Sequence, residues 1–193
     1  MTQVTKQDIG QWGNQFRDRQ DEFDDKSDIG AFIQHFKNNN KLRKYIESYL
    51  PDDLEYRLVK HPDGKYRIDV ALVDKTGKKH LLIDLERWKQ WDIDWPAKYK
   101  YISFLERKSH FLEEPIPFLM VFISNRRNKI LIVDKESIKK YNMVNKPFKD
   151  WGNKIDKVRQ LKFSEGNLFG TNLTAIERKH FVKDSTPNLE GFL

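Results

Sequence analysis

Three acids, Asp69, Asp84 and Glu86, are set into two strongly apolar stretches of this 193-residue chain. In Lys79-His80-Leu81-Leu82-Ile83-Asp84-Leu85-Glu86-Arg87, a strand period of two points Leu82, Asp84 and Glu86 to one face and Leu81, Ile83 and Leu85 to the other. A buried strand is a costly place for two negative charges. Carboxylates gathered at one spot repel one another, and that repulsion raises at least one of their pKa values.

Whether the third acid joins them depends on a hairpin. Tyr66 to Val73 reads as the preceding strand, and Asp74-Lys75-Thr76-Gly77-Lys78 reads as the turn, with Gly77 supplying a positive φ. A four-residue loop, 75 to 78, pairs residue 74 with 79 and so sets Asp69 opposite Asp84, with side chains about 5 Å apart. A three-residue loop instead sets Asp69 opposite Ile83 and sends it to the other face.

The elements around this hairpin follow from periodicity and turn chemistry. Asp28 opens a helix with Ile29, Phe32, Ile33 and Phe36 on one face, and a second helix, 41 to 50, presents Leu42, Tyr45, Ile46 and Tyr49 and stops before Pro51. Glu47, beside that face, is either a solvated residue or a fourth acid of the site. A first strand, 54 to 59, turns at His61-Pro62-Asp63-Gly64 into the Asp69 strand. After the Asp84 strand, Asp94 and Pro96 signal the start of a helix running from 96 to 112, with Lys98, Lys100, Arg107 and Lys108 as its basic surface. The apolar run 118 to 123 reads as a buried strand, Asn125 to Asn128 as a turn, 129 to 133 as the next strand and 134 to 141 as a short helix. Loops are marked by Asn145-Lys146-Pro147 and Trp151-Gly152-Asn153, a last strand by 158 to 163, and a terminal helix by the capping box Thr174-Ala175-Ile176-Glu177.

The resulting organisation is an α/β (α+β) domain over residues 41 to 184, preceded by a helical, acidic extension (1 to 40) and followed by a tail (185 to 193). Net charge is +7, but residues 1 to 30 carry about −3, which leaves about +10 on the rest. A basic body suits a nucleic-acid partner. Trp88, Lys89, Trp91, Lys100, Arg107, Lys108, Arg126 and Arg127 are its candidate contacts; Trp88 and Trp91 either pack against the fold or stack on a base.

Several chemistries are excluded. With no cysteine, there is no disulfide, thiol nucleophile or thiolate metal site. The chain lacks a glycine-rich phosphate loop and a GxSxG elbow, and its five histidines have no zinc-ligand spacing. No apolar run approaches the roughly 20 residues that span a bilayer, and residues 1 to 8 lack a signal-peptide core, so the expected location is cytoplasmic, away from any membrane.

Helix, strand, strand, strand, helix, strand, with an acid on the second strand and two at the end of the third, resembles the core of the PD-(D/E)XK nucleases over about residues 41 to 134. That superfamily includes restriction enzymes, junction resolvases and phage nucleases, and the resemblance implies a phage or bacterial member. It implies a restriction-endonuclease-like αβββαβ core, with a central mixed sheet flanked by helices. It further implies an Mg²⁺- or Mn²⁺-dependent endodeoxyribonuclease acting on double-stranded or branched DNA, with a homodimer as a family-based expectation. Asp69 matches the family's first acid and Asp84 its second, so with Glu86 they become the expected metal ligands. Glu86 stands where the family usually has lysine, a departure that leaves the positive charge to Lys98 or Lys89. The alternative is an inactive nuclease fold retained for binding DNA or a protein.

Overall fold

The structure, a computed structural model, describes residues 28–64, 67–96, 99–148, 154–162, 165–171, 173 and 177. The acidic N-terminal cluster, the C-terminal tail and most of the capping-box helix lie outside the described residues. Two helices open the described chain, α1 (Asp28–Asn38) and α2 (Asn40–Glu47), the second capped by Asn39, whose side chain accepts from the Leu42 N–H. They precede β1 (Arg57–Lys60), β2 (Val70–Val73) and β3 (Lys79–Trp88). Next come β4 (Tyr101–Leu105), a 3₁₀ turn (Glu106–Lys108), α3 (His110–Glu113), β5 (Phe118–Ser124), β6 (Lys129–Asp134) and α4 (Lys135–Lys139). The last strands are β7 (Met143–Phe148), β8 (Lys154–Lys162) and β9 (Asn167–Gly170).

A six-stranded mixed sheet has the order β1-β2-β3-β5-β6-β9, with β3 and β5 parallel and the other neighbours antiparallel. The unbroken apolar run of β5 follows from its central place, because every one of its seven residues is buried. On one face, Val70, Leu72, Leu81, Ile83, Leu119, Val121 and Ile123 pack with Ile29, Phe32, Ile33 and Phe36 of α1 and Leu42 and Ile46 of α2. The period-3.6 stripe of α1 thus meets the period-2 face of the sheet.

The opposite face differs from expectation. Instead of a helix over 96 to 112, the crossover from β3 to β5 carries β4, which joins β8 and β7 in a second, three-stranded sheet. Ile102 and Phe104 of β4 and Leu161 of β8 share a core with Ala71, Val73, Leu82, Met120 and Phe122. Tyr101-Ile102-Ser103-Phe104 alternates as a strand does, and its β-branched and aromatic residues favour the pleated surface over a helix. Asn145-Lys146-Pro147, read as a loop, lies in β7. Pro147 is tolerated there because β7 is an edge strand that needs to bond on one side only. The helices α1 and α2 therefore cover one face of the main sheet, and the small sheet, with α3 and α4, covers the other. No helix among the described residues is long and apolar enough to cross a membrane.

At one end of this core, Lys129 and Glu177 form a buried ion pair at 2.6 Å, and Trp91 Nε1 donates to the other Glu177 oxygen at 2.6 Å. Removing Glu177 leaves the buried Lys129 ammonium without its counter-charge. Glu177→Ala is expected to cost about 3–5 kcal/mol in urea unfolding at pH 7, the range for breaking a buried pair.

Candidate functional site

The hairpin between β2 and β3 closes differently from the four-residue loop expected. Asp74 N–H donates to Lys78 C=O and Gly77 N–H to Asp74 C=O, so the loop proper is Lys75-Thr76-Gly77, with Gly77 at φ 87°. Carried straight along the ladder, that three-residue loop would set Asp69 opposite Ile83. A β-bulge prevents it: Val73 pairs with Lys79 but Leu72 pairs with Leu81, so His80 is an extra residue on β3. From there Ala71 pairs with Leu82 and Val70 with Ile83, and one step further brings Asp69 beside Asp84. Asp74 anchors the device by accepting from Thr76 N–H, Lys78 N–H and, at 2.9 Å, His80 Nε2.

Asp69 sits just before β2, half-buried, with Oδ2 accepting from the Leu85 N–H at 2.8 Å. Burial, and then the charge of Asp84, pushes its carboxyl up to about 8, against the pull of the Leu85 N–H. Asp84 is buried at 4% exposure, while Glu86, two residues on, is half-buried. Both are reached by a lysine that the sequence reading placed elsewhere. Lys108 Nζ lies 2.6 Å from Asp84 Oδ2 and 3.3 Å from Glu86 Oε2. Burial pulls the Lys108 ammonium down, but the carboxylates around it, Asp84 first, more than offset that, so its pKa stands above the ordinary lysine value. The 2.6 Å contact gives buried Asp84 Oδ2 a cationic partner in Lys108.

The sequence places Lys108 on a basic helical surface facing nucleic acid. It belongs instead to the acid cluster, because the chain after β4 tightens into a 3₁₀ turn that aims its side chain at β3. The alternation in β4 was the available signal, since a strand ending at Leu105 puts Lys108 in a turn at the strand's end. Lys98, expected as the catalytic lysine, lies outside the described residues. Lys89 is exposed in the turn after β3.

The other predicted contacts separate into exposed and occupied residues. Lys100 and Arg107 are exposed. Trp91 is fully buried and so packs within the fold, while Trp88, half-buried, stacks on Trp95 at 4.6 Å between ring centroids. Arg126 is paired through two nitrogens with Asp92, and Arg127 Nε donates to Asp28 at 2.7 Å. Glu47 does not join the acids; it accepts from the Tyr56 hydroxyl at 2.6 Å and lines a cleft of about 810 Å³ beside α2. Among the described residues, no group of three or more His, Cys, Asp or Glu side chains could hold a metal ion. The arrangement is thus a pair of acids, Asp69 and Asp84, with Glu86 and Lys108 alongside. No family model matches the chain, nor does any curated protein or solved structure.

Two expectations follow from this geometry. Asp69 holds its proton more tightly in the folded chain than in the unfolded one, where its value is 3.8. Its contribution is therefore unfavourable to folding as pH rises from about 4 to about 8 and constant outside that window. Asparagine still accepts from the Leu85 N–H, so Asp69→Asn should gain stability relative to wild type between pH 5 and pH 8, read from urea midpoints. Asp74 behaves oppositely, because the His80 and Thr76 bonds lower its pKa and their stabilisation is present above about 3.8 and lost on acidification. Asp74→Ala should lower stability at pH 7, speed amide exchange along β2 and β3, and show no extra loss below pH 4.

Proposed function

We infer that this protein is a metal-dependent nuclease of the PD-(D/E)XK kind, hydrolysing phosphodiester bonds in DNA. The observation that carries the reading is Lys108, whose ammonium lies between Asp84 and Glu86 beside Asp69. In the family pattern a lysine stands two residues after the second acid. Here Glu86 takes that place, and Lys108 brings an ammonium back to the same acids from another part of the chain.

The donor set fits Mg²⁺ or Mn²⁺ on the acid pair. Magnesium is commonly held by one or two carboxylates, with water and substrate phosphate filling the remaining positions, so a third acid is not required. Asp69 and Asp84, whose carboxylates lie side by side, would hold the ion with the Leu85 carbonyl. Such an ion supplies Lewis acidity toward the phosphoryl oxygens and lowers the pKa of a bound water. Asp69 must give up its proton to bind it, which makes affinity rise toward pH 8. Lys108 stabilises negative charge developing on the phosphoryl group. Glu86, half-buried at the open side, keeps the lysine oriented through its 3.3 Å contact. The basic body, about +10 outside the first 30 residues, attracts the phosphate backbone.

A second reading rests on the same ion pair. Because Lys108 already neutralises buried Asp84, the cluster is stable without a metal and fits a binding protein on this fold equally well.

Purified protein incubated with supercoiled, single-stranded and branched DNA in Mg²⁺, Mn²⁺ or EDTA separates the two. The nuclease should cut only with metal; Asp84→Asn should abolish cutting and any metal-induced rise in melting temperature. Lys108→Met should retain metal binding but lose on the order of 10²–10³ in kcat. Salt-sensitive DNA binding with no cleavage of any substrate would establish the binding protein instead.

A further inference from the structure

Each of the three segments that carry the site contributes a residue, two positions away, to a neighbouring cleft of about 390 Å³. Arg67 precedes Asp69, Leu82 precedes Asp84 on the same face of β3, and His110 follows Lys108. On β3 a spacing of two is about 6.6 Å, so Leu82 places the cleft beside Asp84 on the same face. Its volume is at the small end of ligand clefts, about 300–1,000 Å³.

The lining has an apolar floor and a polar rim. Leu82 and Phe111 are buried beneath it, and the exposed His110 ring lies over Phe111 at 3.9 Å between centroids. Around the rim, Arg67 and Lys79 can donate while Asp63 and Glu114 can accept, and Lys79 is paired with Asp63. Two cations balance two anions, so this is no phosphate pocket. A flat heterocycle with donors and acceptors on its edge suits it better: the apolar floor and the His110 ring offer stacking, and the rim offers hydrogen bonds.

We propose that this cleft receives one unpaired nucleobase of the strand whose phosphate reaches Asp69, Asp84 and Lys108. The proposal rests on the nuclease reading and specifies its substrate class, a strand that is single or locally opened. A paired base inside a duplex cannot enter a cleft of this size without leaving its stack, which an already unpaired base does at least cost. Arg67 and His110 are then specificity determinants, separate from the acids that carry the chemistry.

The test measures binding apart from cleavage. Fluorescein-labelled twelve-residue oligo-dT and oligo-rU, and a blunt DNA duplex of equal length, are titrated with full-length protein in EDTA by anisotropy. Cleavage of unlabelled single-stranded and duplex DNA is followed separately in Mn²⁺. Either single strand should bind about tenfold or more tighter than the duplex. Arg67→Glu and His110→Ala, both surface changes checked for native melting, should bring that ratio close to one. Equal affinity for single strand and duplex, or a preference unchanged in both variants, overturns the proposal. If cutting is absent with every DNA while the strand preference and its loss in the variants persist, the cleft stands and the catalytic reading fails. If cutting occurs but shows no preference and neither variant alters it, the nuclease stands and the cleft assignment fails.

Discussion

The pairing of β3 on both edges is the constraint on which the rest of the molecule depends. Its first half, to Ile83, runs antiparallel to β2 and Leu82 to Trp88 run parallel to β5, so the backbone donors and acceptors along its middle are committed to neighbours. Because side chains alternate, a shift of one residue on either edge would exchange the helix-covered face with the face that carries Asp84 and Glu86. The parallel partner sets Asp84 beside Met120 and Glu86 beside Phe122 and fixes which face holds the acids. The antiparallel partner then needs the bulge at His80 for Asp69 to meet them. One unpaired residue in a ladder makes the difference between three acids on one face and two.

The charge in that location is managed by segments without regular structure. Asp69 precedes the first ladder pair of β2, where its carboxylate can turn to the Leu85 N–H, and Lys108 ends a single 3₁₀ turn. Neither position would suit a residue in mid-strand, whose side chain is held perpendicular to the sheet. The small sheet has a part in this. Once β4 is paired with β8, the turn that follows is fixed over the end of β3, and Lys108 reaches Asp84 from there. A crossover made of one long helix would have carried its lysines along a solvated side.

Tryptophans illustrate how composition misleads about exposure. Three indoles in eight residues, beside lysines, resemble a nucleic-acid platform. In the folded chain Trp88, Trp91 and Trp95 pack on one another, and Trp91 satisfies its N–H on buried Glu177. Large rings bury much apolar area, and their single polar group needs one partner, so such a cluster closes a core as readily as it binds a base. Glu177 is distant in sequence, which is why nothing near the tryptophans announced it.

Local pattern determined a good deal by itself. The apolar runs of β3, β5 and β6, the stripe of α1, the short helix after β6 and the alternation that puts Asp84 and Glu86 on one face all follow from periods of 2 and 3.6 and from turn chemistry. These are properties of neighbouring residues, so they are legible in the chain alone. The bulge, the partner of β4 and the identity of the lysine beside the acids were decided only by the tertiary structure. A register depends on which strand supplies the facing hydrogen bonds, and Tyr101 to Leu105 becomes a strand because residues 158 to 162 are there to pair with it. Lys108 stands 22 residues from Glu86, and only that pairing brings it within reach.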